Sequence, residues 1–504
     1  MMASNASPDS NLRKFSLFRI LIAVALVVGI AGGAIAAVSL IKVSTDTFTN
    51  SASEHKTEVE PDTYAWGSTI VSAYQVARVF GGGGADIGFS TSTDGGSTWT
   101  HGYLPGLTVN YKNGTYSAAS DAAVAYDPKH GVWLIASLPI RTNGSPDFAV
   151  NRSTDGINWG KPVLVDKSGV DDKSWITCDT TSTSPFYGNC YAEWDQGFST
   201  GLVEMSTSTD GGLTWSASKR TADSLSGIGG QPVVQPNGTV VVPISDSFDA
   251  NLSAFTSTNG GTSWGKSVAI ASQNYHFQAG GIRSAGLPSA AIDGAGTVYV
   301  VWGDCRFRSG CSSDDIVMSS SSDGVTWSAV TRIPIDATTS TVDHFIPGLG
   351  ADMSTSGSTA HLALTYYFYP VSKCNNSCQL EVGFTTSQDG GHTWTAGKQL
   401  GSSMQLSWIA PSQNGQMVAD YLAVAYSNGN PYGVFALAQT PNGSVLNEFM
   451  ATTTTPLLTS PDEPVFSSGL DVAVASAPIS RRFLDDEGRN PNPRNRGEQR
   501  PPND

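Results

Sequence analysis

The sequence predicts an all-β protein, a β-propeller of four-stranded antiparallel blades, and three observations lead there. A phrase close to "STDGGSTW" occurs six times, starting at Ser92, Ser153, Ser208, Ser257, Ser321 and Ser387. Short apolar runs separated by tight-turn signals fill the text between its copies. The composition agrees: 54 glycines among 504 residues, with only 14% charged, suit short strands and turns better than helices.

The third residues of the phrase are Asp94, Asp155, Asp210, Asn259, Asp323 and Asp389, which lie 61, 55, 49, 64 and 66 residues apart. Recurrence at this interval marks a repeat architecture whose unit is one supersecondary element. Within a unit, "AAVAYDPKHGVWLIAS" is two apolar runs hinged at Asp-Pro. "PVVQPNGTVVVPIS" and "AAIDGAGTVYVVW" have the same form around Asn-Gly and Gly-rich turns. A third run, such as "DIGFSTS", leads into the phrase, and a fourth short run follows its tryptophan. Four strands per unit, repeated radially, make a propeller. Six units carry the phrase, and a seventh without it runs through "DYLAVAYSNGNPYGVFALA". Seven blades are expected, with six the alternative.

The phrase itself is the turn between third and fourth strands. A short carboxylate accepts N–H bonds inside its own turn, the next Gly takes a positive φ, and the Trp covers the turn. A structural role is expected for all six residues, because Asn259 can accept the same bonds without charge.

These six copies resemble the Asp-box, or bacterial neuraminidase repeat, of the sialidase-like propellers, over residues 92 to 394. The resemblance implies that the boxes lie opposite the active-site face. Asp boxes also occur in endoglucanases and sortilin-type receptors, so fold alone leaves the activity open. Sialidases have six blades; their catalysis uses three arginines on the substrate carboxylate, an Asp acid and a Tyr–Glu nucleophile pair. By that resemblance Arg78 and Asp86 match the first arginine and the acid, although "ARV" stands where the family has Arg-Ile-Pro. Arg283, with Arg306 or Arg308, completes the arginines, and Tyr421 and Glu193 fill the nucleophile pair. The Arg-Ile-Pro at Arg332 follows the fifth box on an expected outermost strand and is set aside.

Topology locates the expected site independently. If third and fourth strands meet at the box face, second-strand ends and first-strand starts converge on the opposite face. Trp194, Asp195 and Asp304 then join Arg78, Arg283, Arg306 and Arg308 as ligand-binding candidates. Two arginines on the loop "WGDCRFRSGC" could grip a carboxylate bidentately. The alternative is that they pair with Asp304, Asp314 or Asp315 and brace the loop. Trp133 and Trp302 sit inside apolar runs and are read as core.

Six cysteines fall into close pairs, Cys178 with Cys190, Cys305 with Cys311 and Cys374 with Cys378, each bracketing a loop. Local disulfides are expected, and with them an oxidising compartment. Residues 1–19 carry Arg13, Lys14 and Arg19 ahead of the uncharged run 20–41, which is long enough for a membrane anchor with the body outside. A cleaved signal peptide ending near Ala34-Ile35-Ala36, and hence secretion, is the alternative. Residues 42–58 read as a linker, 59–475 as the propeller and 476–504, rich in Pro, Asn and charge, as a disordered tail. The net charge of −15 argues against nucleic acid. No cofactor or metal is expected, since the seven His show no ligand spacing. The function expected is binding of a polar extracellular ligand, a glycan first of all. A sialidase-type hydrolase and a protein-interaction scaffold are the alternatives.

Overall fold

The computed structural model describes residues 38–457 except 198 and 285, together with the strand Val465–Ser467. Its sheets are antiparallel and follow one another in chain order. The first holds Glu58–Trp66, Thr69–Arg78, Gly84–Ser92 and Thr100–Tyr103. The second holds Ala118–Asp127, Val132–Ile140, Phe148–Ser153 and Val163–Asp166. Asp172–Cys178, Cys190–Asp195 and Val203–Ser208 make the third. Val233–Val234, Val240–Ser245, Asn251–Ser257 and Val268–Ser272 make the next. Ser289–Ile292, Val298–Asp304, Asp315–Ser321 and Thr331–Arg332 follow. Then come Asp343–Ala351, Leu362–Tyr369, Gln379–Ser387 and Lys398–Gln405.

The first strands of successive sheets touch in turn, and Val424–Ser427 touches both Asp343–Ala351 and Glu58–Trp66. The ring of first strands is thus closed, and the molecule is an all-β propeller. The core lies between neighbouring sheets. Val71, Ile87 and Phe89 of the first, for example, pack with Val124, Trp133 and Ile135 of the second. Trp133 and Trp302 are buried, as their apolar surroundings predict.

Residues 42–58 are not a linker. Leu40–Lys42 is a strand that pairs with Glu448–Thr453, in the register Leu40 to Thr453 and Lys42 to Ala451. Val43 continues it, donating its N–H to the Met450 carbonyl at 3.0 Å, and is buried. The physical reason is edge closure: Phe435–Ala438 and Glu448–Thr453 would otherwise end in an unpaired strand. The expected anchor, 20–41, therefore gives up Leu40 and Ile41 to this sheet. The rest of that run, residues 1–19 and the tail 476–504 lie outside the described residues. Among the described residues no helix is long and apolar enough to cross a membrane.

The repeated phrases form near-identical turns. In the first, Ser92 Oγ donates to Asp94 Oδ1 at 2.8 Å and accepts the Gly96 N–H at 2.8 Å. Asp94 then accepts the Thr98 N–H at 2.9 Å and its hydroxyl at 2.6 Å. Asp210 and Asp389 repeat the pattern with Thr214 and Thr393, and Asp155 with the amide of Asn158. Asn259 accepts the Ser263 N–H at 3.0 Å, but its own amide donates to Ser263 Oγ at 2.8 Å. The Thr98 hydroxyl and then its N–H hold the Asp94 carboxyl down to about 2, and the Thr326 N–H does the same for Asp323. The disulfides Cys178–Cys190, Cys305–Cys311 and Cys374–Cys378 are all formed.

Candidate functional site

Four first strands break register close to their starts. The breaks lie between Val59 and Asp62, Ser120 and Ala123, Asp172 and Trp175, and Phe345 and Gly348. At each break one residue adopts a left-handed backbone: Glu60 with φ 60°, Asp121 with 50°, Lys173 with 39° and Ile346 with 48°. A non-glycine residue there costs roughly 1–2 kcal/mol, so the surrounding fold must impose it. Such bulges re-aim side chains, and three of these four side chains are charged.

They meet in one buried network. Lys173 Nζ lies 3.4 Å from Glu60 and 3.9 Å from Asp121, and is closest to Asp420. Arg283 donates to Asp420 through Nε at 2.9 Å and also through Nη2. Gln75 donates to Glu60 and, at 2.9 Å, to Ser120 Oγ, which donates to Asp121 at 2.9 Å. Arg78 joins from above, donating to Gln75 Oε1 at 3.2 Å and to the Gly83 carbonyl at 2.7 Å. Tyr421 packs edge-to-face on Trp175 and donates to the Ala122 carbonyl at 3.1 Å. Burial, and then Glu60, Asp121, Asp62 and Asp420, push its phenol well above the ordinary tyrosine range.

Arg78, Arg283 and Tyr421 are therefore brought together, while the other candidates are dispersed. Asp86 is fully buried, bonded to the Ile87 N–H at 2.8 Å and the Thr108 hydroxyl at 3.0 Å, and burial raises its pKa well above the carboxylate range. Trp194 is corrected from ligand contact to core: it is 1% exposed and edge-to-face with Phe148. Asp195 pairs in register with Asp172 and is buried. Glu193 is buried too, and burial followed by Asp195 holds its carboxyl well above the usual range. It packs on Gly230, and neither oxygen has a hydrogen-bond partner, so no Tyr421–Glu193 pair exists.

The disulfide loop resolves to the bracing alternative. Arg306 binds Asp304 through Nε at 2.9 Å and Nη2 at 2.6 Å. Asp304 also accepts the Trp302 indole N–H at 3.1 Å. Arg308 is fully buried, donating to Asp315 at 2.9 Å and to Asp336 at 2.6 Å. Arg332 reaches the same two carboxylates. Asp315, Asp336 and His344 come close enough to share a metal ion. Both carboxylates, however, already serve two guanidinium groups, and the cluster reads as an ion-pair knot.

Glu60 and Gln75 were missed as functional candidates. The available signal was a charged or amide side chain inside an otherwise apolar strand run. Below the network, on the side of the repeated turns, lies a cavity of about 280 Å³ lined by every first strand of the ring, from Asp62 to Gly67 and from Ala423 to Tyr426 among others. It opens on the face opposite the one the sequence singles out.

Residues 140–351 match the model of the BNR repeat-like domain. No curated protein is similar to the chain. Among solved structures, the Hadza microbial sialidase Hz136 is 14% identical, with 75% of each chain covered and a TM-score of 0.43. A protein of unknown function from Dyadobacter fermentans is 14% identical over 82% of this chain and 98% of its own, with a TM-score of 0.43. Trypanosoma rangeli sialidase is 12% identical over 82% and 58%, also at 0.43.

Proposed function

We propose that this chain, a sialidase-like Asp-box propeller, is an exported module that binds a glycan or similar polar ligand without hydrolysing it. Binding is assigned to the face where first strands begin. The observation that carries the reading is the set of left-handed bulges at first-strand starts, three of which, at Glu60, Asp121 and Lys173, build one polar network on the axis. Strained backbone of this kind, held in place by the surrounding fold, clusters at functional sites. Phe80 and Phe248, each 53% exposed in loops after second strands, supply apolar contact area on that rim.

Hydrolysis is disfavoured by the same geometry. A tyrosine nucleophile needs its phenolate stabilised, and Tyr421 instead sits among carboxylates that oppose ionisation. Arg283, Arg306 and Arg308 already hold internal carboxylates.

A seven-blade count is part of the proposal, supported by the closed sequence of first strands from Glu58–Trp66 to Val424–Ser427. So is the assignment of all six phrases as Asp-box turns, supported by their shared hydrogen bonds. Export, with the run 20–41 as membrane anchor or signal, is supported by three disulfides.

A glycan array run beside a fluorogenic sialoside assay tests the reading. The expected result is array binding, weakened by Phe80→Ala and Phe248→Ala at unchanged melting temperature, and no sialoside turnover. Turnover that disappears in Tyr421→Phe would establish the hydrolase instead. A blank array would leave the scaffold.

A further inference from the structure

We infer that the axial cavity, entered from the face of the repeated turns, is a second binding site, specific for the end of a neutral oligosaccharide. It is separate from the face proposed above, lying on the other side of the Lys173 network.

The mouth is on the turn face. Gly67, a lining residue, accepts the Ser427 hydroxyl at 2.8 Å, and its neighbour Ser68 accepts the N–H of Gly95 in the first repeated turn at 2.9 Å. Trp66 and Met353 line the cavity and are 40% and 39% exposed, so the opening reaches solvent between them.

Three features select the ligand. Each first strand is bonded to a partner on its outer side and stands at the inner end of its sheet, apart from one bridge at Ala119, outside the cavity lining. Three N–H groups of lining residues are met by side chains at neighbouring first strands, Val124 by Asp62, Ala290 by Gln231 and Leu349 by Ser289, and the rest of these inner edges offers N–H and C=O groups to the axis. Hydroxyl groups donate and accept equally well, so a polyol can satisfy both kinds. Second, aromatic rings stand among these polar edges. Trp66 is backed by Tyr126 at 5.4 Å, Trp175 by Tyr421 at 5.0 Å, and Tyr64 and Tyr426 complete the wall. Rings held this way offer rigid apolar faces beside polar groups, the combination a sugar ring requires. Third, the lining holds no Lys, Arg or His but does hold the carboxyls of Asp62 and Asp352. An anionic sugar finds no counter-charge there, which separates this site from sialic acid recognition.

Size limits how much enters. The cavity, about 280 Å³, lies just below the range of small-molecule sites, which begins near 300 Å³, and the buried Lys173 network closes its far end. Only a chain terminus of about one or two rings fits.

The test uses the full chain and four probes: maltose, cellobiose, lactose and digalacturonate. Calorimetric titration and tryptophan fluorescence follow binding, with Trp66 and Trp175 as reporters. At least one neutral disaccharide should bind. Trp66→Ala, and separately Met353→Arg, should weaken it by about tenfold or more. Both positions are partly exposed, so thermal melting should be unchanged, and Met353→Arg decides should Trp66→Ala fail to fold. No neutral disaccharide binding tighter than about 10 mM overturns the inference. So does neutral binding that neither variant changes, or digalacturonate binding that Trp66→Ala weakens. Array binding sensitive to Phe80→Ala is read separately, so either site can fail alone.

Discussion

Asp210 and Arg308 are both charged residues in loops, yet one was legible in the sequence and the other was not. Asp210 spends its carboxylate within four residues, on the N–H groups of Leu213 and Thr214 and the Thr214 hydroxyl. Everything it needs is in the repeated phrase, so the phrase discloses its role. Asp210→Asn should leave the melting curve almost unchanged, because Asn259 already makes the equivalent turn. Asp210→Ala should cost about 1 kcal/mol, measured by urea denaturation. A large loss in the Asn variant would show that the charge itself is needed. Arg308 instead depends on Asp336, 28 residues away, and on the carbonyls of Ala337 and Ser340. No local pattern marks such partners, so bidentate ligand recognition and bracing looked alike. Asp315 is buried and Asp336 partly so, and Arg332 still pairs with both once Arg308 is removed, so Arg308→Ala should destabilise by about 2–3 kcal/mol. Arg306→Ala, with a side chain 16% exposed, should cost less. Equal and negligible losses in both would restore the arginines to a ligand role.

At the scale of elements, strand pairs joined by tight turns were readable, because period-two apolar runs and turn residues are adjacent in sequence. The closing strand was not. Leu40–Lys42 is only three residues, abuts a long apolar run, and pairs with residues more than 400 positions later. Its seat includes an acid. Glu58 accepts the Ser44 hydroxyl and the Met450 N–H at 3.3 Å, and burial raises its carboxyl to about 7. A carboxyl whose folded pKa is raised contributes stability that is fully present below its unfolded pKa, near 4.5. That stability is lost as pH rises through about 7. Asp62, also raised to about 7 by burial, acts in the same sense. Urea denaturation of wild type should therefore show stability falling between about pH 4.5 and pH 7. Glu58→Gln should flatten part of that fall, with Asp62 and the other carboxyls raised by burial, Asp86, Asp171 and Glu193 among them, supplying the remainder. An unchanged slope in the variant would mean that the carboxyl ionises freely when folded.

At the scale of the whole molecule, the fold class was legible because one local unit is repeated, while the axial network was hidden because each sheet supplies only a fragment of it. "VEPD", "SDAA", "DDKS" and "ADYL" look unrelated until the ring closes and brings Glu60, Asp121, Lys173 and Asp420 together. Lys173 is the centre of that meeting. Its ammonium joins the first sheet through Glu60, the second through Asp121 and the last through Asp420, and so spans the point where the ring closes. Arg283 shares Asp420. Lys173→Met would remove a cation that these buried carboxylates share, and the expected loss is about 3–5 kcal/mol. Removing one of those acids as well should return part of it, because the penalty lies in the stranded charge rather than in the missing bond. A double-mutant cycle of Lys173→Met with Asp420→Asn should accordingly show coupling of about 1–3 kcal/mol. Read by urea denaturation, additive losses would mean that Lys173 is held by packing alone. The network would then be a filled gap between sheets and not the element that locks the ring.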